Sequence, residues 1–229
     1  MPIAALLLIL LIGLIYAPQF WARHTFQRHS RKRDDIPGSG AELARHLLKE
    51  LGMSHVKVEQ TQRDGDHYDP NDKAVRLSPD NFQNRSLTAI TVAAHEVGHA
   101  IQDHQNDPLL TRRTNLIMLT QQIQKLAMWL LGATFILGLF SRSPVLGLLS
   151  IVAGITVMGI SVVVNFVTLP VEFDASFNKA LPILIKGNYI EKKDHAAARQ
   201  ILKAAAYTYV AASLASLLNL ARWFTILRR

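Results

Sequence analysis

Three long apolar runs constrain what this chain can fold into more than any other feature. They are "IAALLLILLIGLIYAPQFW" (Ile3 to Trp21), "IQKLAMWLLGATFILGLF" (Ile123 to Phe140) and "VLGLLSIVAGITVMGISVVVNFVTL" (Val145 to Leu169). Each has about the length that crosses a hydrocarbon core, roughly 20 residues. The first lacks a basic region before it and a small-residue cleavage site after it, and it runs into "RHTFQRHSRKR". That pattern reads as a retained anchor, not a cleaved signal peptide. The second and third runs, separated by "SRSP", predict a membrane hairpin. A fourth run, "AAAYTYVAASLASLLNLARWFTIL" (Ala204 to Leu227), is diluted by Asn219 and Arg222 and predicts a spanning or interfacial helix.

The expected fold is therefore a mainly α membrane protein of about four transmembrane helices, carrying a cytoplasmic α+β segment. The expected division is an N-terminal anchor over 1–22, a cytoplasmic segment over 23–122 and a transmembrane hairpin over 123–169. A cytoplasmic helix over 170–203 and a last apolar helix over 204–229 complete it. Within the second segment, a Pro/Gly/Ser linker precedes a short amphipathic helix near Gly40 to Leu51. "HVKVEQ" and "KAVRLS" alternate in period two around the turn-rich "RDGDHYDPND", which predicts a β-hairpin or two short strands. Ser86 is a suitable N-cap for a helix reaching about Gln105.

Charge orients this arrangement. Lys and Arg number 25 against 17 acidic residues, and the basic residues flank the apolar runs. Counting crossings puts residues 23–122 and the stretch after Leu169 on one side, which holds Arg28, Arg33, Arg112, Arg113, Lys179 and Lys186. The positive-inside rule makes that side the cytoplasm. No nucleic-acid recognition module accompanies the positive charge, so no nucleic-acid partner is expected. A lipid bilayer and a protein or peptide substrate are the expected partners, and no feature fixes an oligomeric state.

"AAHEVGHAIQ", residues 93–102, carries the chemistry. On a helix, residues four apart share a face, so His95 and His99 can present imidazoles to one ion. Glu96, about 100° round the helix from His95, can reach a metal-bound water without being a ligand. Leu87, Ile90, Ala94, Val97 and Ile101 fall opposite the histidines, and Ala93, Gly98 and Ala100 keep the flanks slim. The chain has no cysteine, so any metal is held by His, Asp or Glu.

A catalytic zinc generally has three protein ligands. An extended motif ending in a third histidine is excluded, because Gln102 and Gln105 occupy its glycine and histidine positions, and His104 is one residue out of register. "TLPVEFDAS" offers Glu172 and Asp174, with Pro170 suited to the first turn of a new helix. Glu172 is the favoured third ligand, with Asp174 orienting a ligand or substituting for Glu172.

"DHYDP", "VRLS", "AAHEVGHAIQ", "TLPVEFDAS" and "AAAYTYVAA", in this order, resemble the neutral zinc metallopeptidases of bacterial membranes (the YugP-like family). The resemblance runs from Ala41 to the C-terminus. It implies a gluzincin-type site with one zinc on His95, His99 and Glu172, Glu96 as catalytic base, and a zincin-like setting for the cytoplasmic segment. It also implies a protein of a bacterial membrane, and together with the counted spans and the positive-inside rule this predicts a multi-pass inner-membrane protein whose site faces the cytoplasm. More distantly, the chain is similar to the membrane heat-shock and prenyl-protein zinc proteases. Those relatives place an aspartate four residues after the ligand glutamate, where this chain has Ser176, with its aspartate at 174.

Zinc-assisted peptide hydrolysis also needs a donor for the developing oxyanion, and Tyr209, Tyr207 and His67 are the candidates. An extended substrate could pair with the "KAVRLS" edge. Membrane-protein quality control is one setting for such an enzyme. The competing expectation is a membrane scaffold or adaptor stabilised by a non-catalytic zinc. A structural zinc, however, takes four protein ligands and has no use for Glu96.

Overall fold

The computed structural model describes residues 2–61, 65–140 and 144–210. The chain runs α1 (Pro2–His29), α2 (Gly40–Glu50), β1 (Lys57–Gln60), β2 (His67–Asp69), β3 (Ala74–Leu77), α3 (Pro79–Gln83) and α4 (Leu87–His104). Two long helices follow, α5 (Pro108–Phe140) and α6 (Pro144–Phe173), and α6 passes directly into a π-helical segment, Asp174–Ala180. After α7 (Leu181–Lys186) and a 3-10 turn at Lys192–Asp194, a helix α8 begins at 195 and is described to 210.

The helix starts are legible in the chain. Ser39 and Glu42 form a reciprocal capping box at α2, where the Ser39 N–H donates to Glu42 Oε2 at 2.7 Å. Ser86 caps α4 by accepting from the Ala89 N–H at 3.1 Å. The apolar face of α2, through Ala44, Leu47 and Leu48, packs on α4. That packing needs Gly40, whose missing Cβ would fall 2.8 Å from the Ala89 carbonyl oxygen.

α4 is the central helix, packed by α2, α3, the sheet, α7 and the π segment. A helix apolar on one side and open on the other was expected. Instead His95, Glu96 and His99 are buried along with Ile90, Ala94 and Val97. The polar stripe is covered because a second element supplies matching polar groups, as described below.

The three strands form one sheet in the order β1-β3-β2, with β1 parallel and β2 antiparallel to β3. The expected pairing of "HVKVEQ" with "KAVRLS" forms, but in parallel, and the hairpin is β2–β3. The turn-rich connection contains the extra strand because its "HYD" can pair with Ala74, Val75 and Arg76. Substrate cannot add to "KAVRLS" as expected, since β3 is flanked on both sides.

The four-span architecture is overturned. Among the described residues, no helix is long and apolar enough to cross a membrane. The physical reason is that helix length and apolar length differ. α5 has 33 residues, but Arg112, Arg113, Gln121, Gln122, Gln124 and Lys125 all fall before its last 15. α1 contains Pro18 and ends in Arg23, His24, Gln27 and Arg28, while the end of α6 buries Thr168, Val171 and Glu172 within the protein. A multi-pass inner-membrane localisation is likewise unsupported, and the cytoplasmic assignment falls with it because it came from counting crossings. Most of the fourth apolar run, 211–227, lies outside the described residues. Helices α5 and α6 pack as an antiparallel pair joined by a Thr134–Ser150 hydroxyl contact of 2.8 Å. α5 crosses the 122/123 boundary unbroken, and α6 crosses 169/170.

Pro170 does not start a new helix. It sits inside α6, where it removes the bond to the carbonyl of Phe166, and the backbone widens to the π form four residues later. This irregular stretch meets α4 at Gly98, where a Cβ would lie 2.7 Å from the Ala175 carbonyl oxygen. Gly98→Ala is therefore expected to destabilise the fold by about 1–3 kcal/mol. That sign opposes the roughly 1 kcal/mol by which Ala outranks Gly in an open helix. Urea unfolding of the metal-free protein reads the change directly.

Candidate metal centre

α4 presents His95 and His99 one turn apart, with ring centroids 4.7 Å from each other. Glu172, at the end of α6, faces them. Its Oε2 lies 3.1 Å from His95 Nε2 and 3.3 Å from His99 Nε2. One donor atom from each of the three residues lies within 4.8 Å of the others, and all three residues are buried. Two imidazoles and a carboxylate suit zinc and leave a position for water or substrate. The residues present therefore fit the ion.

A second ring of contacts orients these donors. His95 Nδ1 is 3.2 Å from Ser176 Oγ, and His99 Nδ1 is 2.9 Å from Gln102 Oε1. Gln102 Nε2 donates to Asp174 Oδ2 at 2.8 Å, and Asp174 also accepts from Lys179 and Asn178. Arg113, from α5, places Nη2 3.3 Å from Glu172 Oε1. Burial works to raise the Glu172 carboxyl, but the His99 charge and hydrogen bonds from both histidines hold it well below the usual carboxylate range.

Glu96 borders a cavity of about 670 Å³ that His95 and Glu172 also line. Burial pushes its carboxyl up to about 7, reinforced by the nearby Glu172 charge and opposed by His95. Tyr209, on α8, lines the same cavity and hydrogen-bonds Glu172. Burial, followed by the Glu172 charge, raises the Tyr209 hydroxyl pKa, so it stays a proton donor at neutral pH.

The structure thus brings His95, Glu96, His99, Glu172 and Tyr209 together. Asp174 reaches His99 only through Gln102, and contacts no ligand histidine itself. Tyr207 packs edge-on against Trp21 at 6.0 Å, with Lys203 over its ring. His67 is exposed on β2, its Nδ1 2.7 Å from the Gly65 carbonyl oxygen, and does not line the cavity. Its neighbour Asp66 does, held by the Ser78 N–H at 2.7 Å and Asn81 Nδ2 at 2.8 Å. Sequence reasoning passed over Arg113, Asp66 and the positive role of Gln102. Only Gln102 carried a signal, three residues after His99 and so on its face of the helix.

Glu96 gives a pH signature independent of catalysis. Between pH 4.5, its ordinary value, and about 7, the folded metal-free protein keeps a proton that the unfolded chain has lost. Its contribution to stability therefore falls as pH rises through that window. Metal-free Glu96→Gln is expected to match the parent near pH 4.5 and exceed it by ~2–3 kcal/mol at pH 8. Denaturant unfolding at the two pH values measures this, and an equal gap at both would contradict it.

Residues 4–228 match the family model described as "Putative neutral zinc metallopeptidase". The chain is 35% identical over 217 residues to the "Putative membrane protease YugP" of Bacillus subtilis (strain 168), covering 94% of this chain and 92% of that protein. No solved structure matches the chain significantly.

Proposed function

The chain belongs to the neutral zinc metallopeptidase family, and from that premise we propose that it is an endopeptidase using one zinc on His95, His99 and Glu172. One observation carries the reading. A buried His-His-Glu donor set, of which His95 and Glu172 line a 670 Å³ cavity, lies beside a carboxyl on the same wall that is poised near neutrality. A scaffold needs neither the open position nor Glu96.

When bound there, zinc supplies Lewis acidity that brings a water pKa from about 15.7 to about 7 and polarises a carbonyl. Glu96, with its carboxyl near neutral pKa, takes a proton from the attacking water and passes it to the departing amine. Tyr209, kept protonated, donates to the substrate carbonyl oxygen as negative charge develops there. Beyond the donor set, the cavity is lined by Arg23, Gln27, Asp66 and Asn81, contributed by α1, by the loop before β2 and by α3. A cavity of that size supports a stretch of polypeptide as substrate.

Zinc-loaded protein, incubated with labelled casein as an unfolded substrate, tests the reading. Glu96→Gln is expected to lose at least about 100-fold in turnover while retaining one zinc. Wild type that holds zinc but cleaves no faster than Glu96→Gln would overturn the general-base role. Tyr209→Phe is expected to lower kcat about 100-fold with KM nearly unchanged. A change in KM alone would assign Tyr209 to substrate binding.

A further inference from the structure

Gln102 is fully buried, and its amide is engaged at both ends. Nε2 donates to the Val171 carbonyl oxygen at 3.0 Å and to Asp174 Oδ2 at 2.8 Å. A backbone carbonyl has no hydrogen to give, and Asp174 Oδ2 already receives Lys179 Nζ at 2.6 Å. The NH2 end of Gln102 must therefore face these acceptors, which turns its carbonyl oxygen towards His99 Nδ1, 2.9 Å away. A carbonyl oxygen can only accept, so His99 Nδ1 carries hydrogen, and Nε2, which faces Glu172 Oε2 at 3.3 Å, is the nitrogen left to give its lone pair to a metal. His95 is held differently. Its Nδ1 partner is the Ser176 hydroxyl, which can give or take a proton and imposes no tautomer.

We infer that Gln102 is a positioning residue with two linked tasks: it locks His99 in the metal-binding tautomer and fixes α4 against the end of α6 that carries Glu172. The inference rests on the zinc reading above. Val171 adjoins Glu172 and Asp174 lies two residues beyond it, so one amide ties two ligands from distant parts of the chain. The Asp174–Lys179 pair reaches His99 only through this neutral amide, so the Nδ1 side of the imidazole meets an amide oxygen and not a carboxylate.

The test uses purified full-length protein, zinc affinity by chelator competition, and the visible spectrum of the cobalt-loaded form, which reports ligand geometry independently of peptide cleavage. Gln102→Met keeps side-chain volume close to that of Gln but removes every hydrogen bond. It is expected to weaken zinc binding 10–100-fold and to alter the cobalt spectrum. Gln102→Glu retains an acceptor for His99 but sets a carboxylate against Asp174, so it is also expected to weaken binding. Adding Asp174→Asn supplies a donor to that carboxylate and is expected to recover most of the loss, which a purely space-filling role does not explain. Wild-type affinity and an unchanged cobalt spectrum in Gln102→Met would overturn the inference while leaving the metallopeptidase reading intact. If Gln102→Met does not fold, equal affinities for Gln102→Glu and its Asp174→Asn partner overturn it instead. Wild-type protein that binds no zinc overturns both.

Discussion

The close approach of two backbones at Gly98 and Ala175 underlies the rest of the site. Glu172 is 73 residues from His99 in the chain, and nothing local brings them together. Because position 98 has no side chain, the π-helical turn after α6 can lie directly on α4. That contact sets the short distance from Glu172 to both imidazoles. It also puts Ser176 beside His95, and Asp174 within reach of Gln102. The π form contributes by spacing its side chains differently from an α-helix, so residues 174 and 176 both serve the metal helix. π-helical turns occur often at functional sites, and Pro170 shows how this one arises, since it leaves the helix short of a hydrogen bond just upstream.

Burying two carboxylates in such a place is costly unless each finds compensation. Glu172 finds it in two imidazoles, the Arg113 guanidinium and the Tyr209 hydroxyl, and so remains ionised. Glu96 has no comparable set, and its raised pKa is the result. The two acids thus separate into a permanent ligand and a group able to exchange a proton near neutral pH. Such a division is what hydrolysis asks of two neighbouring carboxylates. The neutral braces on the histidines fit the same scheme. Ser176 and Gln102 orient the rings without adding further negative charge to the centre.

Local chemistry was legible in the chain, and long-range packing much less so. Helix starts at Ser39 and Ser86 follow from capping rules that act within four residues. His95, Glu96 and His99 follow from helical spacing alone, and Glu172 from the shortage of a ligand. The sheet order was not legible, because "HYD" is too short and too polar to announce a strand, and parallel pairing of β1 with β3 depends on the path of the loop between them. Apolar run length misled more seriously. It suggested four spans, whereas α1 and α5 mix their apolar residues with charged and amide side chains, and α6 gives its last turns to the metal centre. Gln102 shows a subtler limit. In sequence it reads as the wrong residue for an extended zinc motif, and its use appears only when Asp174 and Val171 arrive from the other helix.

The direct test of this description is the coordination of zinc itself, read by X-ray absorption spectroscopy on zinc-loaded wild type and on Glu172→Gln. One zinc per chain is expected, with two imidazole nitrogens at about 2.0–2.1 Å and oxygen ligands at about 2.0–2.2 Å. In Glu172→Gln a carboxylate oxygen should be lost and the ion held more weakly. A zinc environment identical in both proteins, or one with fewer than two imidazoles in the wild type, would contradict the assignment of His95, His99 and Glu172 as the metal centre.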